Sequence, residues 1–168
     1  MKRLMSILLA VVILISLSAC NRTDDSLQEP VKFYYCNEEI SYNSVSGVIC
    51  EELREGAAYH GELEKLLKDY LSGPVSSDLY SLLPSGTELI SCSVSGSKTA
   101  LTFSAEFADL SGVQLSTACS CIVLTLHAYA GIETVQFRVR DGQLENQDSL
   151  IIHISDIVLM DNAAQKEG

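Results

Sequence analysis

The residues of this chain with the most chemistry to offer are its cysteines, histidines and carboxylates, and their spacing limits what each can do. Cys119 and Cys121 enclose a single serine. That spacing is too tight for a zinc knuckle, and neither a second pair nor a nearby histidine completes a set of four ligands. Cys92 and Cys119 fall on apolar faces, where cysteine behaves as a small hydrophobe, so both are expected as buried free thiols. A bridge between Cys36 and Cys50, on neighbouring strands, stays open as an alternative. The three histidines, His60, His127 and His153, are not paired at i, i+4, so there is no HExxH helix. No GxSxG elbow, P-loop or GxGxxG is present. Glu38-Glu39 and Glu51-Glu52 are adjacent, and neighbours on a strand point to opposite faces, so both pairs read as solvated surface rather than shared carboxylate sites. The sequence therefore assigns no catalytic, cofactor-binding or metal-ligating residue, and it reads as a protein that is not an enzyme.

The sixth cysteine has a different setting. Lys2 and Arg3 precede an apolar run that ends in Leu17-Ser18-Ala19-Cys20. A basic start, an apolar stretch of roughly 16 residues and small residues before the cleavage point form a secretory signal, shorter than the roughly 20 residues of a spanning helix. Leu-Ser-Ala-Cys resembles the bacterial lipobox. Residues 1–19 are then a signal peptide, and Cys20 becomes the acylated N-terminus of the mature chain. Several acyl chains, at about 0.8 kcal/mol per buried CH₂, hold a protein stably on a bilayer. Residues 20–30 (CNRTDDSLQEP) are polar and aperiodic, and read as a tether.

About 150 residues remain after cleavage, enough for one domain with a real core. The formal charge of −11 becomes more negative still, because the removed segment carries Lys2 and Arg3 and no acid. Phosphate backbones repel such a chain, so nucleic acid is excluded as a partner. The five remaining cysteines are an odd number, and a domain of this size does not need staples to fold.

The elements that hold these residues follow from periodicity. Residues 31–36 (VKFYYC) are rich in β-formers and predict a first strand, with one of Tyr34 and Tyr35 in the core. Residues 37–46 read as a polar loop and 48–53 as a second strand. Tyr59, Leu63, Leu66, Leu67, Tyr70 and Leu71 line one face of a helix, with Glu64 and Lys68 paired on the wet side and Gly73-Pro74 as its stop. Ile90, Cys92 and Val94 alternate with serines, turn at Gly96-Ser97, and return as Thr99, Leu101 and Phe103, a hairpin with one buried face. Ser111 with Gln114 has the pattern of a capping box before a second helix, whose core stripe is Leu115, Ala118, Cys119, Ile122, Val123 and Leu126. Val135, Phe137 and Val139 alternate with Gln136, Arg138 and Arg140, which places both arginines on the exposed face of another strand. Residues 150–159 form a last apolar segment, and 161–168 a frayed tail. The fold class is α+β: two helices packed on one face of a mostly antiparallel sheet.

Several of these segments also match a family in order and spacing. Leu66-Leu67 running into Ser72-Gly73-Pro74, residues 81–89 (SLLPSGTEL), residues 99–107 (TALTFSAEF), residues 122–126 (IVLTL) and residues 130–135 (AGIETV) resemble successive blocks of GerMN domains. The resemblance covers residues 31–160 and implies one GerMN-like domain. It further implies a sandwich similar to the ring-building motifs of secretion systems. Such domains occur in lipoproteins and membrane-anchored proteins of Gram-positive bacteria, many linked to sporulation and spore germination. The resemblance carries a single copy of the domain here, where one well-known member has two.

The expected function is a non-catalytic module, anchored to the membrane through lipid on Cys20 at its extracytoplasmic face. Its expected partners are envelope or spore-assembly proteins, or further copies of itself, met through a sheet edge or helical face. The alternative is a lipoprotein that binds a small ligand or cell-wall fragment, which would need an aromatic-lined pocket. A chain with no tryptophan offers little for that.

Overall fold

The computed structural model describes residues 29–37, 49–59 and 61–157. The signal peptide, Cys20, most of the tether, Glu38-Glu39, His60 and the 161–168 tail lie outside the described residues.

Strand β1 (Val31–Cys36) pairs antiparallel with β2 (Ile49–Arg54), and the two form a sheet of their own. Helix α1 (Leu63–Leu71) follows, and β3 (Leu89–Ser95) and β4 (Lys98–Phe103) form the expected hairpin. Helix α2 (Gly112–Ala130) leads to β5 (Thr134–Val139), and β6 (Leu150–His153) closes the order. The second sheet runs β3-β4-β5-β6. Only β4 and β5 are parallel, and α2 is the crossover that a parallel pair requires. The α+β class, the two helices and the mostly antiparallel pairing are as the sequence implies, with the strands divided over two sheets.

The division has a visible cause in α2. Its expected stripe is buried in full, but Cys121, Leu124 and Thr125 are buried as well. The helix is thus covered around much of its girth, with β1 packed closely on the Cys121 and Thr125 side. This is how a 19-residue helix apolar enough to cross a membrane serves instead as a core helix. Its N-cap differs from expectation. Ser111 holds the N-cap position, yet its side chain makes no capping bond, and the Gly112 N–H donates to the carboxylate of Glu145. An anion at that end also complements the helix dipole.

Leu66, Leu67 and Tyr70 of the α1 face are buried, with Leu63 and Leu71 half-buried; Tyr59, expected on this helix, is buried but closes a short 3-10 turn before it, and Glu64 pairs with Lys68 at 2.8 Å on the wet side. Tyr35 is in the core and Tyr34 half-exposed. Phe103 stacks on Phe107 at 4.5 Å and on Phe137 at 6.4 Å, in the core under the larger sheet. Arg138 and Arg140 are exposed, which fixes the β5 register as expected. The β3 face is covered only in part: Ile90 and Cys92 are half-buried, and Val94 at the turn end is 52% exposed.

Two glycines carry distinct constraints. Gly131 ends α2 at φ 64°, with its N–H on the His127 carbonyl and open space where a Cβ would stand. A Cβ on Gly56 would instead collide with the Glu29 carbonyl oxygen. Gly131→Ala is expected to lower unfolding free energy by about 1 kcal/mol, through backbone strain alone. Gly56→Ala should cost clearly more, since backbone must move. Equilibrium urea unfolding checks both, and equal losses would contradict this account.

Candidate functional site

Among the described residues, a half-buried set of charges meets a group of stacked rings where β2, α1 and the segment after α1 meet β1. Register explains it. Glu52 lies opposite Phe33 and Arg54 opposite Val31, on the buried face of the ribbon, while Leu53 points outward and is 57% exposed. Strand β2 therefore turns Glu52 and Arg54 inward and Leu53 outward.

Arg54 spends its whole guanidinium here. Its Nε donates to Glu52 Oε1 at 2.7 Å, and Nη1 to Asp69 Oδ2 at 2.7 Å and to the Asp69 carbonyl. Nη2 donates to the Gly73 carbonyl at 2.7 Å and to Tyr35 Oη at 3.2 Å. Arginine has five N–H donors, and these bonds account for all of them. The guanidinium carbon also sits 4.3 Å from the centre of the Phe33 ring, a cation–π contact. Around it, Tyr35 and Tyr70 stack at 4.8 Å. Tyr35 donates to the Tyr70 carbonyl, and Tyr70 donates to the Tyr34 carbonyl. Glu52 Oε2 accepts the backbone N–H groups of Val75 and Ser76, and the Tyr59 hydroxyl donates to Asp69.

The electrostatics follow from this wiring. Burial pushes the Glu52 carboxyl up, but the Ser76 N–H and the Arg54 guanidinium outweigh it and hold the group below the usual carboxylate range. Asp69 is likewise held low against burial, by the Tyr59 hydroxyl and Arg54. Burial, helped by Asp69, pushes the Tyr59 phenol up to about 12. Burial raises Tyr35 and Tyr70 as well. The cluster works as a clamp: its donors and carboxylates are committed to one another, so it offers a substrate little to bind.

Expected site residues fall into place around it. Glu51 is on the outer face, paired with Lys32 at 2.7 Å, as a solvated residue should be. Glu52 corrects the surface reading, because its side chain is only 10% exposed. The signal was the E-x-R alternation of Glu52 and Arg54, which is informative only once the ribbon pairing is known. Cys119 is a buried free thiol, and Cys92 is free but half-buried. Cys36 and Cys50 are both free; they lie on opposite faces of the ribbon, with Cys36 opposite Ile49 and Cys50 opposite Tyr35, so that bridge is not formed. Cys36 meets Cys121 instead, and the contact between their thiols lowers the Cys36 pKa and raises that of Cys121.

His127 Nδ1 contacts the Ile132 carbonyl at 3.1 Å beyond the helix end. His153, Ser155 and Asp156 bring together the three residue types of a triad, but the carboxylate accepts the backbone N–H of His153 rather than its ring N–H. A triad needs that carboxylate on the imidazole; here the three cap a short 3-10 turn. Among the described residues, no group of three histidine, cysteine or carboxylate side chains is placed to hold a metal. Two concavities among the described residues are open to solvent. One of about 330 Å³ is lined by Lys68, Ser72, Thr87 and Glu88 with two leucines, and one of about 350 Å³ lies beside Val31, Gly56 and Tyr129.

A family model described as Germane, sporulation and spore germination, matches residues 32–145. The first GerMN domain of the sporulation protein GerM from Bacillus subtilis is similar over 71% of this chain and 91% of its own, at TM-score 0.52 and 15% identity. The tandem GerMN domains of the same protein match over 79% of this chain at TM-score 0.52 and 16% identity, with 47% of the tandem covered. A candidate lipoprotein from Clostridium perfringens matches at TM-score 0.48 and 18% identity, over 77% of this chain and 89% of that one. No curated protein matches by sequence.

The clamp has a two-sided pH signature. Carboxylates held low stabilise the fold above their unfolded pKa of about 4, and that stability is lost as pH falls further. Tyrosines held high stabilise it below about pH 10, and that stability is lost as pH rises through their folded values. Arg54→Met is expected to cost about 3 kcal/mol near neutral pH, mostly from the stranded Glu52, and Glu52→Gln in the same chain to recover part of it. Urea unfolding across pH checks both. Additive losses would contradict the wiring.

Proposed function

This chain belongs to the sporulation and spore germination family, and we propose that it acts as a non-catalytic, lipid-anchored interaction module at the extracytoplasmic face of the cell membrane. The observation that carries this reading is the Arg54 clamp. The groups best suited to chemistry are spent inside the fold, which leaves surfaces rather than a reacting centre for function. Among the described residues, β2, β3 and β6 each pair on one side only. Each also carries one exposed aliphatic side chain: Leu53, Val94 and Ile151. Open edges of this kind suit addition of a partner strand from an envelope or spore-assembly protein, or from a second copy. The lipobox at Cys20 supports the anchor, and the acidic balance of the chain argues against a nucleic-acid role.

The test is crosslinking and capture of the full chain from membranes of its host, in growth and in starvation, beside Cys20→Ala. The wild type should stay with membranes through a high-salt wash and bring envelope or spore-assembly proteins with it, while Cys20→Ala moves to the soluble fraction. A Cys20→Ala chain that still sediments with washed membranes would refute the anchor. Capture of no protein, with a small molecule co-purifying, would favour the ligand-binding alternative.

A further inference from the structure

Strand β1 meets helix α2 along the edge that β2 leaves open, and at the end of that edge the Cys36 backbone pairs with Tyr80. The Tyr34 N–H donates to Thr125 Oγ1 at 3.0 Å, and Thr125 Oγ1 in turn donates to the Cys121 carbonyl one turn earlier. Two residues along a strand advance about 6.6 Å, and four along a helix about 6 Å. A strand running against the helix, with Tyr34 at Thr125, therefore brings Cys36 to Cys121. The two thiols do meet there, and both residues are buried, at 0% and 2% exposure. Cys119, two positions earlier on the helix, is turned away by the helical period. Cys50 is on the other face of the ribbon.

We infer that Cys36 and Cys121 are a disulfide site, closed by a disulfide-bearing oxidant as the chain folds outside the cytoplasm. The location of that oxidant rests on the proposed extracytoplasmic function; the pairing rests on the packing of β1 against α2. The exchange balances. A Cys36 thiolate, still accessible before β1 docks, attacks a sulfur of the donor disulfide and expels one donor thiolate. Docking brings up Cys121, which gives its proton to that thiolate and attacks the Cys36 sulfur of the mixed disulfide, expelling the second. Two protein thiols are oxidised by two electrons, and one donor disulfide is reduced to two thiols. Once docked, the bond lies under β1 and out of reach of reductants. It closes a long loop, the case in which a crosslink restricts the unfolded chain most.

The experiment uses the full chain, in detergent from its host membranes without reductant and, separately, reduced, unfolded and refolded in a reduced and oxidised glutathione couple. Acid quenching, alkylation by N-ethylmaleimide in denaturant and non-reducing digestion identify the linked cysteines. The expected result is a linked peptide pair holding Cys36 and Cys121, with Cys50, Cys92 and Cys119 alkylated. The wild type unfolded, reduced and refolded in dithiothreitol should melt at least about 5 °C below the wild type refolded in the glutathione couple, while Cys36→Ala and Cys121→Ala melt alike after both treatments. All five thiols alkylated after glutathione refolding, or a linked peptide holding any other pair, would overturn the inference. Linkage in glutathione with free thiols in the host sample would refute the extracytoplasmic location and leave the pairing standing.

Discussion

One guanidinium holds the β1–β2 ribbon to helix α1 and to the segment that follows it. Two antiparallel strands alone are at best marginally stable in water, and β1 and β2 pair with no strand of the larger sheet. Arg54 reaches across to Asp69 of α1 and to the Gly73 carbonyl beyond it, while Glu52 beside it takes the N–H groups of Val75 and Ser76. A buried charge is tolerable only when paired and fully hydrogen-bonded. That requirement fixes the position of every group it touches, so β2, α1 and the following segment are held in one arrangement. The stacked rings of Phe33, Tyr35 and Tyr70 then have one geometry in which to pack.

The second constraint is α2. Its apolar residues cover more of its girth than a single stripe, so it has to be enclosed. The larger sheet covers one part and β1 another, with the strand's free edge met by Thr125 and Tyr70. That contact removes an open edge that would otherwise invite pairing. Among the described residues, the edges left open, on β2, β3 and β6, belong to strands that each carry an exposed aliphatic residue, and these are the surfaces that the proposed interaction role would use.

The elements were largely legible in the sequence because their signals are local. Val31–Cys36 is dense in β-formers, the serine alternation of β3 has a period of two, and the Leu66-Leu67 face of α1 has a helical period that ends at Gly73. Arg138 and Arg140 fell on the face their alternation assigned. The clamp was not legible, because it depends on which strand pairs with β1 and in what register. Glu52 next to Glu51 looks like surface until Phe33 is known to lie opposite. The same holds for Ser111, whose expected cap is replaced by Glu145 from far along the chain, and for Cys36, whose neighbour is Cys121 rather than Cys50. Each miss is a long-range contact overriding a local pattern.

The β1–β2 ribbon is part of the cooperative core and not an appendage to it. Native-state hydrogen exchange of the Tyr34 amide, which donates to Thr125, compared with the amides of Ile122 to Leu126, reads this directly. Tyr34 is expected to exchange only through global opening, with the same free energy as the centre of α2. Exchange of Tyr34 through a local opening far below that value, while α2 stays protected, would contradict it.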